Sequence, residues 1–316
     1  MHPASSVILF TTSAGAGYGL LFLIALAAPH GMLPLDMWFG VISIGLALVL
    51  ITIGLLSSTF HLAHPERAWR AMSQWRSSWL SREGVAALFT YIPAVLYAGS
   101  WVFLEETRGS WPGLIAALAC VGAIATVFCT GQIYASLQTI RQWNHALTIP
   151  VYLVFALASG ALFLNVLIRG FGGAEQWCDI LVILSLIAAW ALKGSYWRGI
   201  DTARELHTVE TATGLGALGS VRLMDPPHSS ENYLMRELGF KIARKHAQRL
   251  RRIAQMLGLF LPLVATAVML QADGGLGILL AVIALVSGMI GIALERWLFF
   301  AQAKHTVQLY YGEAAA

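Results

Sequence analysis

Eight apolar runs dominate this sequence, and each is close to the length that crosses a lipid bilayer as a helix. One crossing needs about 20 predominantly apolar residues. The runs occupy residues 6–28, 37–60, 84–104, 112–136, 147–168, 177–193, 253–271 and 275–299. The sequence therefore predicts an all-α integral membrane protein, a bundle of eight transmembrane helices that forms a single membrane domain over residues 1–316.

The composition also favours a membrane protein. Of the 316 residues, 58% are hydrophobic and 11% are charged, whereas about 25% of the residues in a typical soluble domain are charged. So few charges cannot cover a globular surface with polar groups. This excludes a soluble enzyme, a disordered chain and a nucleic-acid-binding module despite the pI of about 9.1, and we expect no nucleic-acid partner.

The basic residues are distributed unequally between the two sides of the predicted bundle. With eight crossings both termini lie on one side, and that side receives all of the 20 Lys and Arg residues except Arg108 and Arg169. Cytoplasmic loops of membrane proteins carry an excess of Lys and Arg. The sequence thus predicts a multi-pass protein of the bacterial inner (cytoplasmic) membrane, with cytoplasmic N and C termini and a cytoplasmic loop at 194–252 between the sixth and seventh spans.

The last part of this loop is strongly basic, because residues 241–252 include six Lys or Arg residues directly before the seventh span. One interpretation is a collar that contacts the anionic headgroups of membrane lipids. The other is a docking surface for a cytoplasmic partner. Both interpretations stay open.

Ionisable residues are absent from the middle of the predicted spans, and each lies in a loop or near the end of a run. Since such residues at mid-membrane depth usually mark ion or proton pathways, their absence argues against an ion-coupled transporter. Haem-ligating histidines project into a helical bundle; only His61 and His145 approach that position, and we expect no haem. Cys120, Cys129 and Cys178 lack the spacing of a zinc or iron–sulfur site, so we expect no metal in this protein.

Polar residues concentrate where the second span ends and the third begins. Pro65 ends the second span, and Ser81 is the expected N-cap of the third, with Glu83 in its first turn. His61 and Glu83 then lie at about the same depth on neighbouring antiparallel helices. A histidine that can donate to a carbonyl, with a carboxylate nearby, suits a molecule that takes up protons as it is reduced.

Aromatic residues surround this pair. Trp69, Trp75 and Trp79 would provide flat apolar walls, and Tyr134 can donate a hydrogen bond to a ligand in the same layer. Simpler interpretations stay open. Tryptophan and tyrosine are enriched at membrane interfaces, and an acidic residue such as Glu83 is common at the start of a helix.

Four motifs resemble the membrane anchor subunit family of DMSO reductase-type molybdoenzymes. They are His61-Leu-Ala-His-Pro-Glu-Arg-Ala-Trp69, Ser77-Ser-Trp-Leu-Ser-Arg-Glu83, Tyr134-Ala-Ser-Leu-Gln-Thr-Ile-Arg-Gln-Trp-Asn144 and Glu295-Arg-Trp-Leu-Phe-Phe300. The resemblance covers essentially the whole chain. It implies a subunit without a catalytic metal that binds a quinone, ubiquinone or menaquinone, near the docking face of an iron–sulfur electron-transfer subunit. That partner exchanges electrons with a molybdopterin catalytic subunit.

The resemblance also implies which residues bind the quinone. The quinone-site histidine and glutamate of the family correspond to His61 and Glu83. Together with the polar and aromatic groups that we expect to support them, the predicted site consists of His61, Glu83, Arg67, Arg82, Tyr134 and Trp75.

The predicted orientation distinguishes among members of the family. The hydrophilic subunits of respiratory DMSO reductases are periplasmic, whereas the charge distribution here predicts cytoplasmic partners, an arrangement similar to that of the sulfite-oxidising members. We therefore expect an oxidoreductase subunit at which electrons from sulfite oxidation, carried by the partner's iron–sulfur clusters, reduce quinone. One alternative is a quinol-oxidising anchor of a DMSO, S-oxide or N-oxide reductase. Another, from a different class, is a stand-alone membrane transporter.

Overall fold

Long helices make up most of the computed structural model, which describes residues 3–59, 64–202, 207–225, 246–272 and 274–311. Eight helices in these ranges are long and apolar enough to cross a membrane. They are α1 (Ser5–Ala27), α2 (Met37–Thr59), α3 (Trp79–Leu104), α4 (Ser110–Ala135), α5 (Thr148–Gly170), α6 (Gln176–Thr202), α7 (Ala247–Met269) and α8 (Gly274–Ala301). The prediction of an all-helical multi-pass membrane protein with eight spans is confirmed.

Consecutive spans cross the membrane in opposite directions, so that α1, α3, α5 and α7 begin on the same side as α2, α4, α6 and α8 end. We call this side the terminal face, because α1 begins and α8 ends there. The 3₁₀ helix Pro65–Gln74 joins α2 to α3 at the terminal face. Another 3₁₀ helix, Thr306–Tyr311, follows α8. That the terminal face is cytoplasmic stays a prediction.

Helices α1 and α5 form the centre of the bundle. Helix α1 packs against α2, α4, α5 and α8, and α5 also contacts α4, α6 and α8. The backbones of α1 and α5 approach closely at two glycines: a Cβ added to Gly19 would lie 1.8 Å from the carbonyl oxygen of Ala156, and one added to Gly160 would lie 2.2 Å from the carbonyl carbon of Gly19. Small residues allow this approach in a membrane, where van der Waals packing holds helices together.

Helix α7 is attached to its neighbours by a π-helical turn, Met256–Phe260. The indole N–H of Trp190 in α6 donates to the carbonyl oxygen of Gly258 in this turn at 2.9 Å. The backbone of the same turn also lies very close to α8, because a Cβ added to Gly291 of α8 would lie 2.3 Å from the Cα of Gly258. The turn therefore connects α6, α7 and α8 on one side of the central helices.

The helix bounds correct three details of the sequence prediction. The predicted N-cap Ser81 is wrong, because α3 begins at Trp79 and its cap is Ser78, whose hydroxyl accepts a hydrogen bond from the amide of Ser81. Glu83 consequently lies in the second turn. Helix α6 continues to Thr202 and α7 begins at Ala247, so helix occupies both ends of the predicted 194–252 loop. These additions are amphipathic, and a search for apolar runs does not detect them.

Buried charges are the largest departure from the prediction. Lys193 lies more than two turns before the end of α6, and its side chain and that of Glu295 in α8 are both 0% exposed. Their Nζ and Oε1 atoms are 2.6 Å apart. The expectation that every ionisable residue lies in a loop or near the end of a span was wrong for Lys193, because the apolar run ends while the helix continues.

Candidate functional site

A cavity of about 570 Å³ lies at the terminal face, between the ends of α1, α2, α3 and α4 and the 3₁₀ helix Pro65–Gln74. Its walls are mainly apolar and include Val7 and Phe10 of α1 and Leu55 of α2. Trp69 and Leu88 also line the cavity and are exposed, so it is open to the surroundings of the bundle. Its volume falls within the usual range for small-molecule sites, about 300–1,000 Å³.

Glu83 is the acidic group in the wall of this cavity and is 3% exposed. The hydroxyl of Thr130 in α4 donates a hydrogen bond to its carboxylate. Among the described residues, no cation pairs with Glu83. A buried carboxylate without a counter-charge is strongly disfavoured, so Glu83 is suited to bind a proton.

The contact between Glu83 and Thr130 can serve both protonation states of the carboxyl group. The Thr130 hydroxyl, which has one hydrogen, also lies 3.0 Å from the carbonyl oxygen of Thr126. When it donates to Glu83, the carboxyl group can be charged. When it donates to the carbonyl of Thr126, its oxygen can accept a hydrogen bond from a protonated Glu83.

Tyr134, near the end of α4, lies on the inner wall of the cavity and is buried. Its ring stacks on Tyr152 with the ring centroids 5.8 Å apart, and it makes edge contacts with Trp143, Phe299 and Phe300 at 5.3, 5.6 and 5.2 Å. Trp143 and Phe300 also line the cavity. The aromatic cluster therefore fixes the Tyr134 ring at the cavity wall.

Arg82, a predicted site residue, stabilises the turn before α3 and is not among the residues that line the cavity. Its Nε donates to the carbonyl oxygen of Trp75 at 2.9 Å, and its Nη2 donates to that of Arg76 at 2.7 Å. The guanidinium lies over the ring of Trp79, 4.1 Å from the centroid. These contacts connect the 3₁₀ helix to the start of α3 and thereby position Glu83.

The other predicted site residues are either absent from the cavity wall or outside the described residues. Arg67 is exposed and pairs with Glu66 at 3.7 Å, Trp75 is exposed, and neither lines the cavity. His61 lies outside the described residues, which resume at His64, so its part in the site stays a prediction. The structure thus brings together Glu83 and Tyr134 of the predicted set.

Sequence reasoning missed Thr130 and the contribution of α1. Thr130 precedes Tyr134 by one helical turn, so both residues face the same side of α4; that spacing was the available signal. Val7 and Phe10 of α1 gave no such signal, because they are apolar residues in a uniformly apolar run. Their position in the cavity wall follows from the packing of α1 beside α2.

His145, considered in the sequence as a haem ligand, lies in the loop between α4 and α5. Its Nδ1 accepts a hydrogen bond from the amide of Leu147 at 3.1 Å. Burial, together with the positive charges of Lys193 and Arg141, lowers the pKa of His145 from its ordinary value. Within the described ranges, no group of three or more His, Cys, Asp and Glu residues is arranged to hold a metal ion.

Comparison with known proteins identifies related sequences. The DMSO reductase anchor subunit (DmsC) family matches residues 1–302. The protein is 30% identical to the C subunit of sulfite dehydrogenase from Allochromatium vinosum, over the full length of both proteins. It is 24% identical to the C component of anaerobic dimethyl sulfoxide reductase from Escherichia coli, over 69% of this sequence and 78% of the relative.

A third relative is the C component of polysulfide reductase from Wolinella succinogenes, with 27% identity over 57% of this sequence and 66% of the relative. No solved structure matches the protein. The three relatives differ in the substrate that their names specify. Each is named as one component, designated C, of an oxidoreductase that acts on a sulfur compound.

Proposed function

The protein belongs to the DMSO reductase anchor subunit (DmsC) family, and we propose that it anchors a heterotrimeric molybdoenzyme in the bacterial cytoplasmic membrane and binds quinone in the cavity at the terminal face. An iron–sulfur electron-transfer subunit and a molybdopterin catalytic subunit are the proposed partners. Identity with the C subunit of sulfite dehydrogenase along the whole sequence supports sulfite as the substrate of the catalytic partner, with quinone as the electron acceptor.

The position of Glu83 is the observation that carries this proposal. Reduction of a quinone to a quinol takes up two electrons and two protons, and the headgroup is flat, largely apolar and bears two carbonyl oxygens. An apolar cavity of about 570 Å³ with aromatic walls fits such a headgroup. Glu83 provides a buried proton donor in its wall, held by Thr130, and general acid catalysis by one positioned group contributes about 10²–10⁴-fold.

The opening of the cavity supports access from the lipid phase. Leu80 and Leu88 line the cavity and are exposed on α3, a membrane-spanning helix. An apolar isoprenoid tail is stable in that environment, whereas the headgroup contacts Glu83 and Tyr134. Trp69 of the 3₁₀ helix lines the cavity on the side of the terminal face, where we place the two partner subunits.

The orientation is also part of the proposal. The distribution of Lys and Arg favours a cytoplasmic terminal face, so that the partners and the long loop are cytoplasmic. Sequence similarity to the C component of anaerobic dimethyl sulfoxide reductase supports one alternative, in which the same cavity oxidises quinol and the partner reduces an S-oxide.

The proposal is tested by the substitution Glu83→Gln in the complete complex. The control is Glu106→Gln, an exposed glutamate just after the other end of α3. We expect Glu83→Gln to lower sulfite-dependent quinone reduction by about a hundredfold or more. Reduction of an artificial dye by the catalytic partner should be unchanged, as should both activities of the control. His61→Ala should behave like Glu83→Gln.

Unchanged quinone reduction in Glu83→Gln would contradict the assignment of the site. If the complex does not oxidise sulfite but reduces an S-oxide with electrons from quinol, the electrons flow in the direction opposite to the one proposed. The same assay in inside-out and in sealed right-side-out vesicles tests the orientation, because impermeant sulfite should be oxidised only in the former.

A further inference from the structure

A second, much smaller cavity lies behind Glu83, enclosed by α1, α4, α5 and α8. Its volume is about 10 Å³, close to the minimum of about 10–15 Å³ that one water molecule occupies. Thr130 lines this cavity and also bonds to Glu83, and Tyr152 and Arg296 contribute to the same wall. The lining residues are buried, apart from the partly exposed Gly15.

The wall of this small cavity contains polar groups with spare hydrogen-bonding capacity. The hydroxyl of Tyr18 lies beside Thr126 and that of Tyr152 beside Arg296, but among the described residues neither hydroxyl, nor Nη1 of Arg296, makes a hydrogen bond of good geometry. Arg296 is 2% exposed. Buried polar groups are almost always hydrogen-bonded to protein or to ordered water, and a buried water makes about three such bonds. The cavity therefore has both the space and the partners for one water molecule.

Arg296 connects the small cavity to further buried charges. Its Nε lies 3.4 Å from Oε2 of Glu295, and Oε1 of Glu295 lies 2.6 Å from Nζ of Lys193. Two basic groups and one carboxyl group thus lie together in the interior. Arg296 also lies over the ring of Tyr152, with its Cζ atom 3.8 Å from the centroid.

The charged groups continue towards the terminal face beyond Lys193. The ring of Trp197 has Nζ of Lys193 at 5.5 Å from its centroid and Cζ of Arg251 at 5.1 Å. Arg251 pairs with Asp201, whose side chain is 53% exposed. One aromatic ring thus separates the buried cluster from a charged pair that reaches the surface on the far side of the bundle from Glu83.

We propose that the small cavity binds an internal water molecule, and that Thr130, this water and the Arg296–Glu295–Lys193 cluster form a rear proton route to Glu83. The inference rests on the proposed quinone site. A quinone in the large cavity covers the front of Glu83, which is already 3% exposed, so exchange with bulk water on that side is blocked. Thr130 is the contact at the back of the carboxyl group.

The O–H bond of Glu83 breaks when its proton passes to a quinone oxygen, and the electrons for that reduction come from the iron–sulfur partner. The carboxylate takes a proton from the Thr130 hydroxyl while this hydroxyl takes one from the water. The water regains its proton from the Lys193–Glu295 pair, and Lys193 regains its own from solvent at the exposed Arg251–Asp201 pair, past the ring of Trp197. Two such cycles supply the two protons of the quinol. Arg296 stays protonated and is a positioning residue for the water and for Glu295.

Hydrogen–deuterium exchange of the Glu83 carboxyl group tests the route. It is measured by infrared spectroscopy on the complete complex with a non-reducible quinone analogue bound. The infrared band of the Glu83 carboxyl group is identified as the carboxyl band that is absent from the spectrum of Glu83→Gln. We expect the wild-type carboxyl to exchange even when the analogue fills the large cavity. Thr130→Val should slow this exchange at least about tenfold, whereas Thr126→Val, one turn earlier on α4, should not.

Three further variants separate the route from a general disturbance of packing. Thr130→Ser keeps the hydroxyl and should exchange like the wild type. Arg296→Met removes the positioning cation and should slow exchange, and Arg296→Lys should restore part of the rate. Wild-type rates in both Thr130→Val and Arg296→Met would overturn the route, as would an analogue that abolishes exchange in the wild type.

Binding of the analogue, measured separately in every variant, distinguishes failure of this inference from failure of the proposed function. If the analogue does not bind to the wild-type complex, the quinone site itself is wrong, and the rear route is overturned with it. If the analogue binds equally to all variants but exchange is independent of Thr130, only the rear route is overturned.

Discussion

Two of the buried ion pairs among the described residues lie towards opposite ends of the bundle, and their surroundings differ. Far from the terminal face, Nη2 of Arg169 lies 2.8 Å from Oδ2 of Asp179, and both side chains are buried. The other carboxylate oxygen accepts a hydrogen bond from Asn165 at 2.6 Å. Arg169 also donates to the carbonyl oxygens of Met269 and Ala272. This pair connects α5 and α6 to the α7–α8 hairpin.

The pair of Lys193 and Glu295, in the half of the bundle near the terminal face, has fewer polar contacts. The ammonium of Lys193 and the carboxylate of Glu295 are at hydrogen-bonding distance, 2.6 Å, and Oε2 of Glu295 lies 3.4 Å from Nε of Arg296. Lys193 is otherwise surrounded by aromatic rings, with Tyr196 and Phe299 centroids at 3.8 and 5.2 Å. A second cation, Arg296, lies beside Glu295.

This difference separates a structural ion pair from one suited to proton exchange. A buried pair is retained without loss of stability only when additional hydrogen bonds satisfy its remaining polar atoms. Arg169 and Asp179 meet this condition. Lys193 and Glu295 instead have Arg296 and aromatic rings as described neighbours, and they lie beside the aromatic cluster that ends at the large cavity. We therefore expect the first pair to affect folding and the second to affect activity.

The largest effect on stability is expected for Arg169→Met. Without the guanidinium, Asp179 is a buried carboxylate whose remaining described polar partner is Asn165. Removal of one partner of a buried pair costs about 3–5 kcal/mol. The free energy of unfolding, measured in mixed detergent micelles, should fall by that amount. The double variant Arg169→Met/Asp179→Leu is the control and should recover much of the loss. A loss below about 1 kcal/mol in the single variant would contradict the structural role.

Lys193→Met should have a smaller effect on stability and a larger one on activity. Glu295 keeps a cation after this change, because Nε of Arg296 is 3.4 Å from its carboxylate. We expect a loss of about 1–3 kcal/mol in the free energy of unfolding. Quinone reduction by the complex should fall at least about tenfold, whereas Arg169→Met complexes that remain folded should keep their rate. Equal effects of the two variants on both quantities would remove the distinction between the pairs.

The architecture could be predicted from the sequence because it follows from local properties. Each span is a run of apolar residues of sufficient length, and a bilayer admits few other structures. The ends of α3, α6 and α7 could not be predicted in the same way. Lys193 illustrates the reason. Its charge ends the apolar run, but the helix continues because Trp190, Tyr196 and Trp197 lie on the same face of α6 and pack inside the bundle.

The candidate site could be predicted in part. Glu83 and Tyr134 could be placed in one layer because a polar group near the end of an apolar run is visible in the sequence, and the family resemblance singled out Glu83; that either residue binds quinone stays a prediction. Arg82 was assigned to the ligand on the same grounds, yet its hydrogen bonds to the carbonyls of Trp75 and Arg76 use its donors in the turn. The direction in which a side chain points depends on tertiary packing. The contact between Thr130 and Glu83 also depends on how α3 and α4 pack, which no local pattern specifies.

The smallest expected effect concerns the pH dependence of stability that arises from His145. It tests whether the positive charge of Lys193 affects the protonation of His145. Burial and the nearby charges of Lys193 and Arg141 lower the pKa of His145 below its ordinary value of 6.5. The unfolded protein therefore binds this proton more tightly than the folded one. The free energy of unfolding is unaffected by His145 above pH 6.5 and falls as the pH drops below that value.

The measurement is the thermal midpoint of the complex between about pH 8 and about pH 5. His145→Gln should reduce the fall in the midpoint at acid pH. Lys193→Met should also reduce it, since one of the two cations that oppose protonation is gone, while Arg169→Met, at the far end of the bundle, should leave its size unchanged. An equal reduction in Arg169→Met and Lys193→Met would show that the acid sensitivity does not arise from charges near His145. The two ion pairs would then differ in their contacts but not in their effect on the protonation of His145.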